Sequence, residues 1–303
     1  MSTSTLTRIA QATAILMALM IETGCGGGGT SVVSNVGSGG TGVISGAAIK
    51  GPLSNASVNA YAIVNGQSGA MIGSTKTDAN GSYTMTVGSY AGPVMLQVSG
   101  GSYTEEATGG LATMAAGDVM SAVLPSMTQG ANVSGIQITP ITAMAQARAQ
   151  QMPGGMTDAN IAAANAAMGN YFSIGDITHV LPMNPLVPGS ATGASMDARN
   201  YGMALAGMSQ LAKSLNTAST SSLVTSLMSD ASDGMMDGSR GTSAISMTMG
   251  GMMANTTMAP TTGTSGLTSA MTSFMGSTAN RSGLTAGDMA TMMLKITASG
   301  GKI

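Results

Sequence analysis

The chain has no tryptophan, two phenylalanines, one histidine and one cysteine in 303 residues. Each shortage removes a class of chemistry. Zinc sites draw on several His or Cys ligands, and this sequence cannot supply them. One cysteine cannot close an internal disulfide. Charge is equally scarce, with ten Lys and Arg against twelve Asp and Glu, a net charge of −2. The basic residues are scattered, so no face can neutralise a run of phosphates, and nucleic acid is not an expected partner. Nor is there a basic cluster to hold an anionic membrane surface. Such low charge argues against wholesale disorder.

What is abundant is glycine and methionine, 44 and 30 residues. The Gly-, Ser- and Thr-rich stretches predict folded segments joined by flexible ones. Methionine is a flexible hydrophobe that fills gaps where aromatics are lacking.

Arg8 precedes an apolar run over residues 9–21, broken by Gln11 and Thr13. That run is shorter than the about 20 residues needed to span a bilayer, but it suits a secretory signal. It ends at Thr23-Gly24-Cys25, followed by Gly26-Gly27-Gly28-Gly29. This resembles a bacterial lipobox, with Glu22 where the pattern places leucine. The resemblance implies lipidation of Cys25 and, with Gly at position 26, an outer-membrane lipoprotein. A secreted or periplasmic protein with a free thiol is the alternative. Residues 1–25 thus read as signal and 26–41 as a flexible tether. The formal dinucleotide fingerprint Gly37-x-Gly39-x-x-Gly42 runs into Val43-Ile44, a strand signal, where the motif needs a helix N-terminus.

From residue 42 to 130 the pattern is that of strands. Ala56, Val58, Ala60 and Ala62 alternate with polar neighbours, as do Tyr83, Met85 and Val87, then Val94, Leu96 and Val98. Residues 65–69 read as a loop, and Asp78-Ala79-Asn80-Gly81 as a tight turn. The run Gly51-Pro52-Leu53, Ala56-x-Val58-x-Ala60 and Thr75-x-Thr77-Asp78-x-Asn80-Gly81-x-Tyr83 resembles the carboxypeptidase regulatory-like, or transthyretin-like, β-sandwich. That resemblance implies a non-catalytic spacer or binding unit. Adjacent Glu105 and Glu106 fall short of the roughly six to eight oxygens calcium takes, and read as a solvated loop.

Residues 131–303 read as five or six helices. Thr139-Pro140 opens the first, with proline at the first helical position. Pro153-Gly154-Gly155 breaks it, and Thr157 caps a second helix with Ile161, Ala164, Met168 and Phe172 on one face. After an extended Pro-rich crossing at residues 181–186, Asp197 is the expected cap of a third helix, striped by Tyr201, Leu205, Met208, Leu211 and Leu215. Leu223, Leu227 and Met228 extend the bundle. Leu267, Met271, Phe274 and Met275 make a further stripe, and Thr285 with Asp288 reads as a capping pair before the last helix. A Gly/Thr/Met-rich loop is expected near residues 238–265. The expected class is α+β: an antiparallel β-sandwich, transthyretin-like or Ig-like, followed by a separate all-α helical bundle. The segment order is similar to that of exported bacterial lipoproteins with an N-terminal β-sandwich. The pieces that carry this are Asn200-Tyr201-Gly202-x-Ala204-Leu205-Ala206 and Asp230-x-x-Asp233-Gly234-x-x-Asp237-Gly238.

Three constellations could carry chemistry. Asp230, Asp233 and Asp237 share one face if helical, which raises a calcium site, although calcium loops place ligands at alternate positions. Met247, Met249, Met252, Met253 and Met258 bring soft thioethers together in a Gly- and Thr-rich stretch, a pattern suited to Cu(I) or Ag(I). The alternative is a low-complexity loop or one more Met-packed helix. His179 would have to serve any Ser-His-Asp triad, but no Gly-x-Ser-x-Gly elbow accompanies it. The function expected is therefore a non-enzymatic cell-envelope lipoprotein, a scaffold or binding module held by a lipid anchor and meeting a protein or surface partner. A Met-rich soft-metal binder and a hydrolase are the alternatives.

Overall fold

A computed structural model describes residues 40–303. The expected signal, Cys25 and nearly all of the expected tether lie outside the described residues. Nine strands come first: β1 (Val43–Ala48), β2 (Ser57–Val64), β3 (Gln67–Lys76), β4 (Ser82–Thr86), β5 (Gly92–Ser99), β6 (Ser102–Thr104), β7 (Leu111–Thr113), β8 (Val119–Met127) and β9 (Asn132–Ile138). Strands β3-β2-β5-β8 form an antiparallel sheet. Strands β4-β1-β9 form a smaller one, in which β1 pairs antiparallel with β4 and parallel with β9. β9 thus continues the sheet region past residue 130.

Period-two alternation explains how these sheets pack. Val58, Ala60, Val94, Leu96, Val98, Met120, Ala122 and Leu124 point from the large sheet into a core shared with Ile44, Tyr83, Met85, Ile136 and Ile138 of the small one. The intervening Ile63, Met95 and Val123 point the other way, against Ala149, Met156, Ile161 and Ala164 of the first two helices. The inner strands of the large sheet are therefore covered on both faces, with Val94, Met95 and Leu96 of β5 buried in succession, while β3 stays largely exposed. The expected loop at residues 65–69 is tighter in the structure. Asn65 and Gly66 alone, both at positive φ, join β2 to β3 as a two-residue hairpin turn. Asp78 accepts the backbone N–H groups of Asn80 and Ser82, closing the turn into β4.

The helices are α1 (Pro140–Gln151), α2 (Asp158–Phe172), α3 (Met196–Leu215) and α4 (Thr220–Ala231). Two small hairpins follow, β10 (Ser239–Arg240) with β11 (Ser243–Ala244) and β12 (Ser246–Met247) with β13 (Thr256–Thr257). Then come α5 (Leu267–Met275) and α6 (Ala290–Ala298). Thr139 caps α1 in a reciprocal box with Thr142. Thr157 caps α2. The cap of α3 is Ser195 rather than Asp197, whose carboxylate instead accepts the N–H of Gly175. Thr285 and Asp288 do bond to each other, but in a turn that precedes α6 rather than at its cap.

The helical stripes converge on a second large core around Tyr201, Leu205, Met208, Phe172, Phe274 and Met271. Tyr201 also ties the layers together, its hydroxyl sharing a hydrogen bond with Thr139 and donating to the carbonyl of Ile177. Ala143 of α1 and Val224 of α4 enter the core of the sheets. The described residues, 40–303, fall within one compact unit. One face of the larger sheet packs against α1 and α2.

Candidate functional site

The buried charged residues that meet are Lys50, Glu105 and Glu106. Lys50 follows β1, where Gly51 turns the chain at φ +68° and any side chain would press on the carbonyl of Thr104. That turn sends Lys50 inward, and it is 1% exposed. Glu105 and Glu106 stand on the connection between β6 and β7. They are not the solvated loop expected from the Gly-rich sequence: Glu106 is buried and Glu105 nearly so. The Lys50 ammonium donates to Glu106 Oε2 at 2.6 Å and to Glu105 Oε1 at 3.3 Å. Ser209 of α3 bonds with both the ammonium and Glu106 Oε2, the latter at 2.6 Å. Thr220, at the start of α4, donates to Glu105 Oε2 at 2.7 Å, and Tyr103 donates to the same oxygen at 3.2 Å. The ammonium also lies 5.3 Å from the centre of the Tyr103 ring.

Burial and pairing compete at each group. Burial works against the charge on Lys50, but Glu106 and Glu105 outweigh it and hold its pKa above the ordinary value. Burial also pushes Glu105 up, yet Lys50 and the neighbouring hydroxyls bring it down to about 2. Glu106 is raised, by burial first and then by repulsion from Glu105, against the pull of Lys50. Two buried carboxyls thus share one lysine and separate in acidity.

A cleft of about 470 Å³ opens beside this cluster. Its walls include Gly51, Pro52, Tyr103, Glu106, Asn184 and Leu186, and the exposed Leu111 stands at its rim. The Pro-rich crossing forms one wall because α3 lets it come close. A side chain at Gly202 would meet the carbonyl of Met183 at 2.0 Å, and the N–H of Met183 donates to Ala198.

The sequence-predicted sites are placed differently. Asp230, at the end of α4, is buried and accepts the N–H groups of Asp237 and Gly238. Asp233 accepts from Met235 and Gly241, while Asp237 accepts from Ser239. α4 ends at Ala231, so the three carboxylates share no helical face, and each turns to its own backbone donors. Among the described residues, no group of three or more His, Cys, Asp or Glu side chains stands close enough to hold a metal ion. Met247, Met249 and Met258 are buried in the helical core, whereas Met252 and Met253 are exposed. The five thioethers are therefore divided between core and surface. His179 is exposed, its Nδ1 2.8 Å from Asp176 Oδ2 and 3.1 Å from Thr178 Oγ1.

No family model and no curated protein matches the chain. Among solved structures, a 9R-lipoxygenase from Cyanothece PCC8801 is similar over 38% of this chain and 18% of that one. The identity is 12% and the TM-score 0.21, a likeness too slight to carry an argument.

Proposed function

We propose that the protein is a non-catalytic, lipid-anchored module of the cell envelope that presents the cleft beside Lys50 and Glu106 to a partner. In this reading the paired sheets are a transthyretin-like β-sandwich, and the helices are a rigid backing for it. The observation that carries the reading is that the cleft is walled by three distant parts of the chain, 51–54, 102–106 and 184–186. An ion cluster reaching from Lys50 to Ser209 and Thr220 sets its geometry in advance. A site built before its ligand arrives loses less entropy on binding. The charged groups beneath it bond to one another, which suits holding shape better than turning over a substrate.

Two measurements test this. The full chain should enter the membrane fraction and take up labelled fatty acid, and Cys25→Ala should do neither. A photo-crosslinking residue at Leu111, on intact cells, should give a discrete adduct that the same probe at exposed Val64 does not. Equal or no labelling at both positions would rule out the cleft as the binding surface.

A further inference from the structure

Lys50, Glu106 and Ser209 form a triangle in which every pair is within hydrogen-bond distance, in a place water scarcely reaches. An ammonium and a carboxyl are the two halves of an amide. Here they come from positions 56 residues apart and are held together by the fold. We propose that Lys50 and Glu106 condense after folding into an intramolecular isopeptide bond that staples the end of β1 to the β6–β7 connection.

The step balances without a co-reactant. Within the pair, the Lys50 ammonium passes one proton to the Glu106 carboxylate, whose Oε2 lies 2.6 Å away. The freed lone pair attacks Cδ of protonated Glu106, and a C–N bond forms. Ser209, bonded to both the nitrogen and Glu106 Oε2, passes a second proton from nitrogen to the departing hydroxyl. The C–O bond breaks and one water leaves. The third hydrogen stays on the amide nitrogen, and nothing is oxidised or reduced.

Three features favour it. Burial raises Glu106 and so favours the protonated carboxyl, the form that can lose hydroxide as water. Fixing amine and acid in one site replaces a bimolecular encounter by one with an effective concentration on the order of 10⁵ M or more. A buried ion pair carries a desolvation penalty that a neutral amide does not. Glu105 keeps the hydroxyls of Thr220 and Tyr103 as its donors.

The test is a tryptic map of the full-length protein, denatured before digestion. A free Lys50 is cut, releasing peptides 51–76 and 77–148. With the bond in place, cleavage after residue 50 fails, and the peptide ending at residue 76 is joined to 77–148 and lighter by one water. The joined species is expected as the major form, with fragmentation placing the link at Lys50 and Glu106. Peptide 51–76 released free as the major form would overturn the proposal. Glu106→Gln should form the same amide with loss of ammonia instead of water, and Glu106→Ala should give only free peptides. A joined species in Glu106→Ala would also overturn the assignment, by placing the link elsewhere.

Discussion

Replacing Asp230 by asparagine isolates the electrostatic cost of one buried carboxyl. Asp230 Oδ1 accepts two backbone N–H groups, but Oδ2 has no hydrogen-bond partner. Burial, reinforced by Asp237 and Asp233 against those two N–H groups, pushes its pKa up to about 6. In the unfolded chain an aspartate titrates near ~3.9. Below about pH 4 both states hold the proton, and the group does not distinguish them. As the pH rises toward 6 the unfolded chain releases it while the folded protein retains it, so stability falls. Above 6 the loss is complete. A gap of about two pH units corresponds to about 3 kcal/mol, and relaxation of the surrounding turn reduces this to ~1–2 kcal/mol. Asparagine keeps the accepting oxygen and cannot titrate. The stability of Asp230→Asn relative to the unmodified protein should therefore climb by ~1–2 kcal/mol between pH 4 and pH 7. In melting temperature that is roughly 2–4 °C for a chain of this size. Calorimetry of both proteins at closely spaced pH values checks it. A difference that stays flat across the window, or shrinks as pH rises, would refute the reasoning.

Other expectations follow from the same geometry. Calcium should leave the melting temperature unchanged, since Asp230, Asp233 and Asp237 face separate donors; a rise with calcium concentration would show a site that binds the folded state. Met249→Ala and Met258→Ala should each cost ~2–5 kcal/mol, because both side chains belong to the helical core, whereas Met252→Ala and Met253→Ala should stay within ~0.5 kcal/mol. Denaturant unfolding measures these, and a Cu(I) competition titration on the same variants shows whether the exposed pair binds metal. Gly202→Ala should destabilise by ~1–3 kcal/mol and disturb the cleft, since the new methyl meets the backbone of Met183 rather than a movable side chain.

The elements were written locally and could be read locally. The boxed Thr139 and the Thr157 cap, the Asp78 turn, and the stripes of α2, α3 and α5 each depend on residues a few positions apart. Their side chains satisfy nearby backbone groups or repeat with the period of the element. So the mixed α+β character with antiparallel strands was already in the sequence. The errors have the same origin. Asp197 looked like a cap, but Ser195 had the better position, and the carboxylate found a donor in a loop 22 residues away. The Asp230 set looked like one face only if the helix ran on past Ala231.

Tertiary structure alone decided the rest. β9 pairs in parallel with β1, nearly ninety residues earlier, and the alternate residues of β5 and β8 are buried because α1 and α2 cover a face that composition left open. Neither Lys50 in a Gly-Pro turn nor Glu105-Glu106 in a Gly-rich run carries a local sign of burial. Ser209 is 159 residues from Lys50, and Thr220 is 115 from Glu105. Charges so placed are set by which elements pack over them, and packing is a property of the whole chain. The sequence by itself determined which segments are helix, strand or turn, because those obey short-range hydrogen bonding and periodicity. The fold determined which few of its scarce charges would meet out of water.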